Sequence, residues 1–238
     1  MRALAFRTWF ENEDEKKIFV LVGPPAIGKS TWIAQNVPDA YVVNRDDIVT
    51  QIAKGKGLTY DDMFASPPKD AEIGYQQAPY GVVINRPPEL PDFLPEKLWN
   101  NVTDANNEVY EALNQRFAGA GQSGKDIVVD MTNMDVANRQ RGFASIGDLP
   151  GYKKIAVVFN FQGSDVQKAV INLANKRSKE IAAQGGSKTI PEDVMQNMFS
   201  AYEPPTREEG FDEIINVDDR QRILAALQES CYWRQARS

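Results

Sequence analysis

The chain contains no histidine and a single cysteine, Cys231, among its 238 residues. Without histidine, an acid–base step must fall to a carboxylate, a lysine or a tyrosine. One cysteine excludes an internal disulfide and a cysteine zinc cluster, which fits a reducing cytoplasm. No segment reaches the ~20 consecutive apolar residues that a membrane-spanning helix needs, so no membrane partner is expected. Residues 1–10 carry too short an apolar core for a cleaved leader and soon give way to the acidic stretch 11–15. Excess positive charge is also missing. A net charge of −6 and a pI near 4.9 count against a broad nucleic-acid-binding face, while leaving room for a narrow basic channel. The 42% hydrophobic and 25% charged residues are those of a folded domain, and the length suits one domain with an insertion.

Against that background one stretch stands out: Gly23-Pro24-Pro25-Ala26-Ile27-Gly28-Lys29-Ser30-Thr31. It follows the apolar run 18–22, read as a buried parallel strand, and leads into a helix from Trp32 onward. Strand, glycine-rich loop and helix start are the context that makes G-x-x-x-x-G-K-[ST] a phosphate site. Gly23 and Gly28 are expected to allow backbone angles that aim successive N–H groups, including those of Ala26 and Ile27, at phosphate oxygens. The start of the helix adds unpaired N–H groups and the positive end of its dipole. Lys29 can reach the β and γ oxygens, the Ser30 hydroxyl can hold Mg²⁺, and Thr31 can meet the α-phosphate. The expected cofactors are therefore ATP and Mg²⁺.

Further along, residues 40–43 read as a second strand that ends at Asn44-Arg45-Asp46-Asp47 and opens a helix from 47 to about 54. Residues 55–95 break the rhythm with recurrent prolines and several aromatics, among them Tyr60 and Phe64, and with one short strand at 81–85. They read as an insertion with its own partial packing. Leu98, Trp99, Val102, Ala105, Val109, Leu113 and Phe117 recur at helical spacing. Strands at 126–130 and 155–161 flank a helix at 136–146. Helices at 165–183 and 192–202, a strand at 213–217 and a closing helix at 219–229 complete the chain. The alternation implies an α/β fold: a doubly wound, mostly parallel sheet with helices on both faces, formed by a single domain over 1–238.

For transfer chemistry the acceptor side needs a group that takes a proton from an attacking hydroxyl. Asp46, at the carboxyl end of the second strand, is the candidate, with Asp47 expected to cap the following helix. The bland alternative makes both residues simple caps.

Residues 23–32 together with Val43-Asn44-Arg45-Asp46-Asp47 resemble the kinase domain of the phage and animal polynucleotide 5′-hydroxyl kinases. Val128-Val129-Asp130-Met131-Thr132-Asn133 and the helix bearing Arg139 are similar to that family's strand ending in Asp-x-Thr-Asn. The likeness resumes at Asn175-Lys176-Arg177-Ser178-Lys179, runs on through 190–198, and closes at 201–205 and 209–211. The resemblance implies a P-loop kinase fold with a helical lid over about 165–192 and the insertion after the second strand. It implies Asp46 as general base, assisted by Lys29 and by the lid cation Arg177, with Lys188 as a further lid candidate. It implies acceptor contacts from Arg45, Asp130, Thr132, Asn133, Arg139 and Lys179, and Mg²⁺ held by Ser30 and Asp130. The implied activity is transfer of the ATP γ-phosphate to a 5′-hydroxyl end of DNA or RNA, making nucleic acid the partner, while the lone cysteine sets the expected location as the cytoplasm.

Two departures from the family matter. Some phage members carry an arginine three residues after the catalytic aspartate, where this chain has Val49. The family's partner phosphatase motif, Asp-x-Asp-Gly-Thr, is absent, so kinase activity alone is expected. The acidic pI, Val49 and the unmatched insertion at 55–95 make a kinase acting on a hydroxymethylated base or on a small nucleoside or sugar hydroxyl an alternative. A nucleotide-binding module without transfer is a third reading.

Overall fold

The computed structural model describes residues 15–64, 75–78, 81–84, 96–218 and Ile223. Residues 1–14, most of the insertion and, Ile223 apart, the closing helix expected at 219–229 lie outside the described residues.

Five strands form one sheet: β1 (Lys16–Val22), β2 (Tyr41–Asn44), β5 (Ile127–Asp130), β6 (Tyr152–Phe159) and β7 (Glu213–Val217). Their spatial order is β2-β5-β1-β6-β7 and every pairing is parallel. Two short strands, β3 (Tyr75–Ala78) and β4 (Gly81–Ile84), form a separate antiparallel hairpin. The helices are α1 (Lys29–Asn36), α2 (Arg45–Gly55), α3 (Glu96–Ala120), α4 (Val136–Ile146), α5 (Ser164–Ala183) and α6 (Glu192–Ser200).

The sheet is buried on both sides because its central strand is apolar at nearly every position, where a one-sided sheet would alternate. Successive β1 side chains point to opposite faces. Ile18, Val20 and Val22 join a core with Val49, Leu113 and Phe117 of α2 and α3. Phe19 and Leu21 join another with Trp32 of α1, Val170 of α5 and Met195 of α6. Leu113 and Phe117 are fully buried, and each contributes about 2–3 kcal/mol of apolar transfer energy. The doubly wound α/β expectation is met. The hairpin adds a strand, Tyr75–Ala78, where the sequence suggested only one nearby.

All five main strands run the same way, so the carboxyl ends of β1, β5 and β2 meet at one edge. There Asn44 pairs in register with Asp130, and the Gly23 N–H donates to the Thr132 carbonyl at 3.0 Å. The chain leaves β1 toward β2 on one side and returns to β6 on the other. This reversal of direction opens a crevice beyond the strand ends, where α/β sheets bind ligands.

Candidate active site

The loop after β1 closes on itself. Gly28 sits at φ 111°, ψ 13°, in the left-handed region, and Ala26 is also left-handed at φ 63°. A non-glycine residue held there stores strain that the surroundings must compensate. Gly23 serves a different purpose from the one expected, since its backbone is not left-handed. A Cβ at Gly23 would stand 3.1 Å from Phe159 Cβ and 3.2 Å from Ile27 Cγ2, so the glycine lets the loop pack closely against both. The Ile27 side chain is buried and anchors the loop in the core. Helix α1 starts at Lys29 with no side-chain cap and no acidic residue in its first turn. Its leading N–H groups and dipole are thus left for an anion. Ser30 and Thr31, in that turn, are exposed.

The Lys29 ammonium donates to the carbonyls of Gly23 and Pro24, both at 2.9 Å. Burial lowers its pKa from the ordinary 10.5 to about 8, opposed by the nearby negative charges of Asp130 and Asp46. Asp130 is 8% exposed at the end of β5. Burial and the field of Asp46 push its pKa up, against the pull of Lys29 and of the Asn44 amide, which donates to Asp130 Oδ2 at 2.8 Å.

Asn44 holds a second position as well. Its Oδ1 accepts from the Asp47 N–H at 3.1 Å, so Asn44 caps α2 and the cap expected at Asp47 is corrected. Asparagine serves as well as aspartate in that position, and here its amide also ties the helix start to β5.

Asp46 follows in the first turn of α2 with its side chain 47% exposed. The Tyr60 hydroxyl donates to Oδ1 at 2.9 Å, and the Lys188 ammonium donates to Oδ2 at 2.7 Å. Partial burial raises the Asp46 pKa, but the Lys188 charge and the two hydrogen bonds outweigh it and hold the carboxyl below its usual range. Burial and the adjacent Asp46 charge push the Tyr60 pKa well up, so Tyr60 stays a donor. Arg45 places its guanidinium 5.5 Å from the Phe64 ring centroid and adds its field to Asp46.

The structure thus gathers Lys29, Asp46, Asp130 and Arg45 at one edge, with Ser30 on the neighbouring helix start. Arg177 is exposed on α5, near enough for its charge to depress Lys29. Lys179 is exposed on the same helix. Lys188, only an outside lid candidate by sequence, is the cation that reaches Asp46. Two expected acceptor residues are placed otherwise. Arg139 is 0% exposed and forms a two-pronged pair with Glu209 at 2.7 and 2.9 Å, with a further bond to the Asn133 carbonyl at 3.0 Å. Asn133, left-handed at φ 48°, points inward and donates to the Leu21 carbonyl at 2.8 Å. Both knit the sheet edge together. The half-buried Thr132 contributes its carbonyl to Gly23. Tyr60 and Asn44 are the site residues that sequence reasoning missed. Asn44 carried a signal, since asparagine before a helix is a strong cap, whereas a tyrosine in a loop carries none.

Among the described residues no helix is long and apolar enough to cross a membrane, and no cluster of three metal-ligating side chains occurs. A family model described as an AAA domain matches residues 18–205. No curated protein matches. The similar solved structures include a provisionally assigned kinase of Chloroflexus aurantiacus, at 13% identity and TM-score 0.48, covering 92% of this chain and 97% of that one. A gluconokinase from Sinorhizobium meliloti matches at 15% identity and TM-score 0.41, over 93% and 98%. A structure from the PezAT toxin–antitoxin system of Streptococcus pneumoniae matches at 9% identity and TM-score 0.34, over 87% of each chain. At these values nothing about activity follows from the likeness.

Proposed function

The chain belongs to the AAA domain family, and from that premise we propose that it transfers the γ-phosphate of ATP to a hydroxyl of a small acceptor such as a sugar or nucleoside. The observation that carries the reading is the placement of Asp46. Its carboxylate stands at the strand-end edge, within the field of Lys29 and held ionised by Tyr60 and Lys188. The loop N–H groups and Lys29 hold the triphosphate. The acceptor oxygen attacks the γ-phosphorus as its proton passes to Asp46, and the bond to the bridging oxygen breaks to release ADP. Transfer of this kind depends mainly on alignment and charge compensation, which the loop, Lys29 and the lid cation Arg177 provide. One exposed hydroxyl, Ser30, and one carboxylate, Asp130, suit Mg²⁺, which takes one or two protein oxygens and keeps water and phosphate oxygens for the rest. When bound, Mg²⁺ would neutralise the phosphates.

Three observations favour a small acceptor. Lys188 lies directly on the acceptor carboxylate, as a lid enclosing a compact substrate would. Val49, where a phosphate-gripping arginine would sit, is 0% exposed in the core, and the net charge is negative. The 5′-hydroxyl end of a nucleic acid is the second reading, favoured by the ordered motifs around Asp46 and Asp130. A panel of sugars, nucleosides, hydroxymethyl-pyrimidine DNA and 5′-hydroxyl oligonucleotides, run with γ-labelled ATP, tests both. Label on a small hydroxyl is expected. Label confined to oligonucleotide ends would replace the first reading with the second. ATP binding with no labelled product would leave a binding module.

A further inference from the structure

The loop between α5 and α6 is seated on the short segment after α2 by a reciprocal set of bonds. The Thr189 N–H donates to Asp61 Oδ1 at 2.7 Å, and the Asp61 N–H donates to Ser187 Oγ at 3.3 Å. Ser178 of α5 donates its hydroxyl to the Lys188 carbonyl at 2.6 Å, fixing the lid loop from behind. Between these anchors Lys188 projects to Asp46 and lies 4.7 Å from the Tyr60 ring centroid. The residue beside Asp61 is Tyr60, which holds the other Asp46 oxygen. One shelf, Tyr60-Asp61, therefore contacts the base with its first residue and the lid with its second.

We infer that Tyr60 and Lys188 are positioning residues that clamp the two oxygens of Asp46, and that docking of the lid on Asp61 readies the base for transfer. The inference rests on the reading of Asp46 as the general base. Each carboxylate oxygen has two acceptor sites, so one donor per oxygen leaves room for the acceptor hydroxyl. The clamp fixes the direction of the free lone pairs, and general-base transfer requires that alignment. It also makes the base dependent on the lid. With the lid undocked, the Lys188 charge leaves Asp46 facing Arg45, Tyr60 and Lys29 on one side and the like charge of Asp130 on the other, with Asp47 next to it on the same helix. The carboxylate is then free to rotate, and its open lone pairs are no longer aimed at an acceptor. Closure over a bound substrate would in this way switch on the group that deprotonates it.

The test needs no acceptor. The full chain is labelled with ¹³C-carboxyl aspartate, the Asp46 resonance is assigned by its disappearance in Asp46→Asn, and its titration is followed in buffer without nucleotide. Lys188→Met and Tyr60→Phe should each move the Asp46 midpoint upward, while Lys188→Arg should keep most of the depression. Lys188→Gln serves if the methionine variant does not fold. Asp61→Ala touches neither oxygen of Asp46, yet it should raise the midpoint and speed hydrogen exchange at the Thr189 amide about tenfold. Unmoved midpoints in Lys188→Met and Tyr60→Phe would overturn the clamp. Faster exchange at Thr189 with an unchanged Asp46 midpoint in Asp61→Ala would overturn the coupling to the lid. Normal turnover by Asp46→Asn would instead remove the general-base reading and leave these titrations standing, so the two failures are separable. Once an acceptor is in hand, Tyr60→Phe should lower kcat, leave the KM for ATP unchanged and move the acidic limb of the pH–rate profile upward.

Discussion

Replacing Arg139 with methionine separates an interior role from a substrate role. The guanidinium is 0% exposed, donates two bonds to Glu209 and one to the Asn133 carbonyl, and Glu209 itself has a side chain only 6% exposed. Methionine keeps much of the stem volume, so the cavity term is small. What remains is a buried carboxylate with only the Thr206 N–H, at 2.9 Å, still bonded to it. Removing one partner of such a pair costs about 3–5 kcal/mol. For a chain of this size that lowers the thermal midpoint by about 6–20 °C, read by circular dichroism or calorimetry. Arg139→Lys should recover little, because one ammonium cannot reproduce the two-pronged geometry. Adding Glu209→Leu to Arg139→Met should recover much of the loss, since the stranded charge is then gone. The surviving folded fraction should keep its nucleotide affinity. A midpoint lowered by less than about 2 °C, corresponding to under ~1 kcal/mol, would refute the structural assignment and return Arg139 to the acceptor side.

Three further outcomes follow from the structure. Asn133→Ala should cost about 2–3 kcal/mol in urea denaturation, combining a lost bond to the Leu21 carbonyl with a left-handed backbone that alanine disfavours. Asn133→Gly should recover only the backbone part. ATP affinity should weaken as pH rises through about 8, where free Lys29 loses its proton, and Lys29→Arg should abolish that dependence. The sign for stability is opposite: between about 8 and the ordinary 10.5 the unfolded chain holds more protons than the folded one, so the ligand-free fold should gain stability as pH rises there.

The parts of the fold that were plain in the sequence are those where burial and periodicity agree. Residues 18–22 are apolar throughout because the strand is covered on both faces, and the helix at 136–146 is bounded by the Asp135 cap and Gly147. The Tyr75–Ala78 strand escaped because Tyr-Gln-Gln-Ala has no apolar alternation. At the site, the phosphate loop and Asp46 lie at strand ends, where spacing fixes position. Arg139 misled because a motif gives the place of a cation and says nothing of whether its side chain turns inward. The Lys188 contact joins residues 142 apart through a loop with no period, so no local pattern reports it. The role of Gly23 is not local, since its close packing against Phe159 is a tertiary fact.

The central claim is that the carboxylate at position 46 takes the acceptor proton while the P-loop holds the triphosphate. Single-turnover transfer of labelled γ-phosphate, with whichever acceptor the panel identifies, tests it in Asp46→Asn against the unaltered chain. The expected result is a transfer rate reduced about 10²–10⁴-fold at unchanged ATP affinity. A rate within about threefold of the unaltered chain, far below the loss that removing a general base produces, would contradict it.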